Sequence, residues 1–367
     1  MNKPTAPLPA WSRPLPDLLR RRLVRALPWS GWALAAAPGI AGAAAPARTS
    51  DYPPVLPGRG LRFARDHGAH PDYRTEWWYL TAWLDTPRGP MGCQLTFFRS
   101  RTPWGRQSES RFAPRQLLFA HAAIGDPRHG RIRHAERARR VDGPAARFDT
   151  ADTDLALGTG ARRWSLRRTD ADTYEVRVDA DDFQLALTAA TPAPPWLQGD
   201  AGFSRKGPLA RQASYYYSRP QLALSGSLAV GGERLDVRGL GWLDHEWSSE
   251  ILDERAHGWD WTGLNLDDGR SLMAFRIRDG QAAPLWQTAN WLLPPVAAGV
   301  TRADSVVFEP LRWWTSPASA IRYPVQMRLR LAGGETLQLQ PLLDDQEIDA
   351  RASTGTRYWG RGGHGAR

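Results

Sequence analysis

The chain is written as short runs of alternating polarity, each closed by turn residues. Leu222 to Val230, then Gly231-Gly232, then Arg234 to Leu243 reads as one hairpin. Gly258 to Leu266, Asp267-Asp268-Gly269 and Ser271 to Arg278 reads as another. An Asp-Gly turn between alternating runs is a strong hairpin signal. The rhythm recurs at Glu76 to Leu84 and Met91 to Arg99 around Thr86 to Pro90, and at Leu117 to Ile124. It continues at Arg162 to Leu166, Thr173 to Val178, Phe183 to Leu187, Val306 to Trp314, Val325 to Leu331 and Thr336 to Leu342. Side chains along a strand alternate between faces, so each run buries one face and must find a partner for it. No convincing amphipathic helix interrupts the series. The pattern predicts an all-β fold of closed antiparallel sheets.

At 367 residues the chain exceeds one typical domain. Pro192 to Pro208, rich in Pro and Gly, is the best boundary, giving an N-terminal unit at 51–207 and a C-terminal unit at 208–367. Small barrels of about eight strands enclose side chains or one ligand. The expectation is two tandem lipocalin-like β-barrels. Trp, with 18 copies, suits pleated surfaces and cavity walls, and so favours an apolar ligand.

The net charge of +10 is no nucleic-acid signal. Lys3 and Lys206 are the only lysines, the arginines are scattered, and binding needs a clustered patch. Cys93 is alone, so an intrachain disulfide and a Cys-based metal site are excluded. Residues 1–50 read as an export leader. Arg20-Arg21-Arg22-Leu23-Val24-Arg25 precedes the moderately apolar Ala26 to Ala45, and Ala43-Ala44-Ala45 offers a small-residue cleavage site. The Arg pair followed by Leu-Val-Arg resembles a twin-arginine signal; the alternative is an unstructured basic tail. Pro28, Pro38 and Gly39 break a segment already short for spanning a membrane, and nothing after residue 50 is long and apolar enough. The mature protein is expected to be soluble, and periplasmic or secreted.

Chemistry concentrates at Gly241-Trp242-Leu243-Asp244-His245-Glu246-Trp247, answered by His257-Gly258-Trp259-Asp260-Trp261. Alternation puts Leu243, His245 and Trp247 on one face and Trp242, Asp244 and Glu246 on the other. Trp259 and Trp261 share a face, opposite Asp260 and Thr262. A barrel interior that received His245, Trp247 and Asp260 together would set an imidazole and a carboxylate beside an aromatic wall. Such a set can move protons and stabilise a cation. Glu76, His121, Glu254 and His257 are weaker candidates. A buried structural network or a solvated barrel rim accounts for the same residues. Tyr215-Tyr216-Tyr217 lines a ligand cavity or packs the core. Ser249 stands where a zinc-protease motif needs its second His, and no nucleophile elbow or phosphate-cradling loop is found.

Glu76-Trp77-Trp78-Tyr79, Phe97-Phe98-Arg99, Gln198-Gly199-Asp200 to Lys206, Ser214-Tyr215-Tyr216-Tyr217-Ser218, the Asp244-His245-Glu246-Trp247 segment and Gly258-Trp259-Asp260-Trp261 follow in that order. This series resembles the AttH-like family of predicted secreted hydrolases, related to the carotenoid 1,2-hydratases, over about residues 51 to 359. The resemblance implies two lipocalin-like domains and cofactor-free addition of water to an apolar polyene, with no metal. It implies a His and a Trp two positions apart, matching His245 and Trp247, and a nearby Asp, matching Asp260 less directly. Trp242, Trp259, Trp261, Tyr216, Glu246 and Asp244 are then the expected substrate-binding set. The family continues after Tyr358-Trp359, whereas this chain ends in the polar Gly360 to Arg367, which suggests a second barrel short of closing strands. Two functions follow. One is an exported hydratase or hydrolase of a long apolar isoprenoid or lipid. The other is a non-catalytic carrier or accessory protein of an envelope ABC transporter. Neither reading calls for a cofactor, a nucleic acid or a stable membrane span.

Overall fold

A computed structural model describes residues 52–103, 110, 113–294, 301–360 and 363–366. The proposed leader lies outside the described residues. Among those described, helix is limited to 3-10 turns at Arg65–His67 and Gly160–Arg162, and none is long and apolar enough to cross a membrane.

The first sheet is built from β1 (Thr75–Asp85), β2 (Met91–Arg101), β3 (Gln116–Gly125), β4 (Ile132–Arg140), β5 (Ala146–Phe148), β6 (Asp154–Leu157), β7 (Trp164–Arg168), β8 (Thr173–Asp179) and β9 (Phe183–Ala190). It also holds the short β10 (Trp196–Leu197) and β11 (Phe203–Arg205), and the long β12 (Ala213–Val230) and β13 (Glu233–Glu250). Its order is β4-β3-β2-β1-β13-β12-β9-β8-β7-β6-β5. The sheet curls until its edges approach. Arg137 of β4 donates to the carbonyl of Asp179 at 2.7 Å and lies 4.5 Å over the Trp164 ring of β7. Alternation decides what fills the interior. In β1, Glu76, Trp78, Leu80, Ala82 and Leu84 point in, while Trp77, Tyr79, Thr81 and Trp83 point out. Trp78, Leu95, Phe97, Ile124, Leu166, Val176, Leu228 and Leu243 join one continuous core. Cys93 is buried in it as a small apolar side chain.

Strands 213–250 were expected to open the second barrel. Instead β12 pairs with β9, and β13 pairs with β1, so both complete the first sheet. The reason is local. The Pro- and Gly-rich stretch holds β10 and β11, which pair back onto β12. It is a connector inside one sheet, and the sheets divide between Glu250 and Gly258.

The second unit packs a sheet of β14 (Gly258–Asn265), β15 (Ser271–Arg278), β16 (Pro284–Leu292) and β17 (Thr301–Asp304) against β18 (Val306–Thr315), β19 (Arg322–Leu331) and β20 (Thr336–Pro341). Leu272, Trp291, Phe308, Met327, Leu329 and Leu339 form its core. A hairpin of β21 (Glu347–Ala350) and β22 (Thr356–Trp359) leaves this unit and packs Ile348 against Ala123 of the first sheet. The polar tail contributes β23 (Gly363–Ala366), paired with β20.

The two units meet where β14–β16 cover the outer face of β12 and β13. Trp196, Tyr216, Trp242, Met273, Phe275 and Ile277 bury one another there. Approach is so close that a Cβ at Gly263 would lie 2.6 Å from the Trp242 ring. Glycine at that position lets the indole lie on bare backbone.

Candidate functional site

Two separate polar clusters grow from the two faces of β13. On the inner face, Glu76 is the hub. Its Oε1 lies 2.9 Å from His245 Nε2 and 2.8 Å from His70 Nδ1, and its Oε2 accepts from Arg99 Nε at 2.7 Å. The His70 backbone N–H donates to both oxygens. His70 Nε2 reaches Asp66 Oδ1 at 3.0 Å. On the far side, His245 Nδ1 meets the Tyr217 hydroxyl at 3.1 Å, and that hydroxyl meets His67 Nδ1 at 3.2 Å. Indole rings seal the hub: Trp78 stacks on His245 at 4.4 Å and Trp247 on His70 at 3.7 Å.

The protonation states follow from these partners. Burial alone would raise Glu76, but Arg99 and the two imidazole donors hold it well below the usual carboxylate range. Burial likewise opposes charge on His70, yet bonds to Asp66 and Glu76 raise it. Asp66 is lowered to about 2, against its own burial, by His70 and the Arg62 backbone. His245 and His67 are pushed down to about 4 and about 3 by burial, so both are neutral. Two anions, Asp66 and Glu76, thus face the cations His70 and Arg99, and the more exposed Arg65 bonds Asp66 at 2.8 Å. His245 gives its Nε2 proton to Glu76 and accepts from Tyr217.

Three atoms here, His70 Nδ1, Glu76 Oε1 and His245 Nε2, lie within 4.8 Å of one another, so these residues have the composition of a metal site. Their chemistry does not fit one. N–H donors occupy both Glu76 oxygens, and the Arg99 guanidinium sits against Oε2. A divalent cation there would face the full positive charge of Arg99, 2.7 Å from Oε2.

The outer face is different in kind. Asp244 Oδ1 accepts from the Ser218 hydroxyl at 2.6 Å and from Trp242 Nε1 at 2.7 Å. The Tyr216 hydroxyl bonds the same carboxyl and accepts from Trp261 Nε1 at 3.2 Å. Gln198 holds Ser218 at 2.9 Å and is held by Asn290 at 3.1 Å, so both units contribute. All of Asp244's partners are neutral. Burial pushes its carboxyl up to about 7, against those hydrogen bonds. Glu246, two residues on, has a cation: Lys206 Nζ lies 2.8 Å away, bonds Ser204, and sits over the Tyr216 and Phe275 rings.

The expected substrate-binding set therefore converges. Asp244, Glu246, Tyr216, Trp242 and Trp261 form this outer cluster, and Trp259 stands beside it, 6.3 Å from Trp77. The expected catalytic set does not converge. His245 and Trp247 are together on the inner face, at 4.9 Å between rings. Asp260 is not with them; it sits on the face of β14 opposite Trp259 and Trp261, bound by Arg276 at 2.8 Å and Arg278 at 2.7 Å. The first sheet and then β14 separate it from His245, and the carboxylate that does meet His245 is Glu76. Glu254 and His257 are exposed in the connecting loop. His121 is buried in a third cluster, with Tyr358 and Ser353. Sequence reading missed Asp66, His70, Arg99 and Tyr217 as members of one network. Arg99 carried a signal, since a guanidinium ending an apolar aromatic run needs a buried partner.

The AttH-like family matches residues 54–362. The chain belongs to that family. Among solved structures, an AttH protein from Nitrosomonas europaea is 44% identical, with a TM-score of 0.75, over 85% of this chain and 96% of that one. Kievitone hydratase from Nectria haematococca has a TM-score of 0.58 at 14% identity, over 82% of this chain and 88% of that one, and shares the fold. Among curated proteins none matches by sequence.

Proposed function

We propose that this AttH-like protein is exported and takes a long apolar isoprenoid or lipid, to which it adds water by acid–base chemistry centred on Asp244. A single observation carries the reading. Asp244 is a buried carboxyl with no cationic partner among the described residues, raised to about 7, and walled by Trp242, Trp261 and Tyr216. An acid tuned to neutral pH and enclosed by aromatic faces suits protonation of an alkene. Asp244 gives its proton to the terminal alkene carbon. The cation left on the neighbouring carbon is stabilised by the indole faces. Water adds to that carbon, and the proton it releases returns to the Asp244 carboxylate. The sum is alkene plus water to tertiary alcohol, with no cofactor. In this reading His245 and Trp247 act from the inner face, holding β13 in register.

The test is mass spectrometry of an acyclic carotenoid, lycopene, dispersed in detergent micelles with the full chain. The expected result is a product heavier by one water, lost in Asp244→Asn. Equal turnover by that variant refutes the assignment. A second reading, a carrier without chemistry serving an envelope ABC transporter, is favoured by one feature: both ring nitrogens of His245, the expected acid–base group, are engaged by Glu76 and Tyr217. Tight lycopene binding without product would establish it.

A further inference from the structure

Outside the Asp244 cluster, the outward face of β1–β3 carries a transverse aromatic floor. Strand register brings Trp77, Phe98 and Phe119 into one row and Tyr79, Thr96 and His121 into the next. The second row continues to Asp244, which pairs with Tyr79. Phe98 stacks on Phe119 at 5.0 Å and lies 5.1 Å from the His121 ring. Trp77 and Phe98 are only half-buried, although Phe98 is flanked in β2 by buried residues on both sides. Walls rise on two sides, from distant parts of the chain. On one, β14 sets Trp261 at 5.2 Å from Tyr79 and Trp259 at 6.3 Å from Trp77. The Trp259 Nε1 is buried and has no hydrogen-bond partner. On the other, the β21–β22 hairpin lays Tyr358 over His121, with ring planes at 20°.

The hairpin end is polar and directional. Gln94 Nε2 donates to the Tyr358 hydroxyl at 3.1 Å, which meets His121 Nδ1 at 3.0 Å. His121 Nε2 meets Ser353 Oγ at 2.7 Å, and Ser353 donates to Glu136 Oε2 at 2.6 Å. Every bond is satisfied if donation runs from Gln94 to Glu136. The chain then ends on a carboxylate that reaches solvent, with 24% of its side chain exposed. A hydroxyl can donate to such an end. A carboxylate arriving there would meet a like charge.

We propose that this floor binds the apolar body of the ligand, an elongated chain lying across the strands from Trp259 to Phe98, with a hydroxyl end group at Ser353 and Glu136. Strands are about 4.8 Å apart, so the distance from β1, beside Trp259, to β4, which carries Glu136, is about 14 Å, the length of a medium polyene or isoprenoid chain. The inference rests on the reading of an apolar ligand but not on Asp244 chemistry.

All-trans-retinol, a polyene alcohol that accepts energy from Trp emission, is the probe, with the full chain. Saturable quenching is expected. Phe98→Glu and Trp77→Ser, both at half-buried positions, should weaken it by about tenfold or more, since each removes a large apolar surface that the ligand would bury. Glu136→Gln should narrow the preference for retinol over retinoic acid. If retinol does not bind, or binds equally to wild type and to both floor variants with unaltered melting curves, the proposal is overturned. Should retinol bind as expected while lycopene gains no water, the hydration reading fails and this one stands.

Discussion

Replacing Asp244 by Asn should make the protein more stable at neutral and alkaline pH. Asp244 is 3% exposed, and its carboxyl is raised from 3.8 to about 7 by burial. Between those values the folded state holds a proton that the unfolded state has released. Stability therefore falls as pH rises, by about 1.4 kcal/mol per unit, and the loss is complete above the folded pKa. Over roughly three units the integrated penalty is about 4 kcal/mol, present at pH 8 and absent near pH 4. Asn keeps a carbonyl oxygen for Ser218 and Trp242 and does not titrate, so it does not carry this penalty. The assay is urea denaturation of both proteins at pH 4, 6 and 8, with the difference in unfolding free energy taken at each pH. Taking the difference cancels the other titrating groups. The gap should swing towards the variant by several kcal/mol as pH rises. A gap that stays flat from pH 4 to 8 would show that Asp244 is ionised throughout. It would then have no proton to give, and the proposed function would lose its acid.

Glu76→Gln should do the opposite. It leaves His70 and Arg99 buried without their anion, which costs about 3–5 kcal/mol, read as a lower melting temperature at pH 7. That loss should shrink below about pH 4.5, where the unfolded chain takes up a proton that folded Glu76 still refuses, and go on shrinking until pH falls through the depressed folded value. Asp260→Asn removes the partner of Arg276 and Arg278 near the surface; it should cost about 1 kcal/mol in urea and leave any hydration rate within about twofold. Abolished turnover in a folded Asp260→Asn protein would restore Asp260 to the chemistry.

Much of the fold was legible because strand alternation is a local property. The runs from Glu76 to Leu84 and from Ser271 to Arg278 are strands as read, and the face assignments around His245 and Asp244 hold. What sequence could not supply is which strands pair over distance. Nothing local says that β13 lies beside β1, yet that pairing puts Trp78 opposite His245 and brings Glu76 to it. The Arg-rich β4 was passed over because its polarity hides the alternation. His67 and His70 stand in a polar stretch before the first run, and polar residues between runs are ordinarily solvated. Here the loop folds onto the sheet and both imidazoles are buried. The choice of Asp260 over Glu76 as partner of His245 shows the same limit: nearness in sequence stood in for nearness in space.

The division of labour across β13 follows from how a buried charge is tolerated. A carboxylate taken from water is stable only with a counter-charge or several donors; otherwise it takes up a proton. Neighbouring β12 supplies both faces in alternation. Tyr217 goes inward to His245, and Tyr216 and Ser218 go outward to Asp244. On the inner face the loop adds His70 and β2 adds Arg99, so Glu76 keeps its charge and the network is locked. On the outer face the second unit brings Trp261, Asn290 and Phe275, which are neutral, and the ammonium of Lys206 is already held by Glu246. Asp244 is left with donors but no cation. A group in that state changes protonation near neutral pH, whereas the inner face resists such change. The pair of strands thus fixes its own register with one set of side chains and carries, with the next, the raised carboxyl on which the proposed chemistry depends.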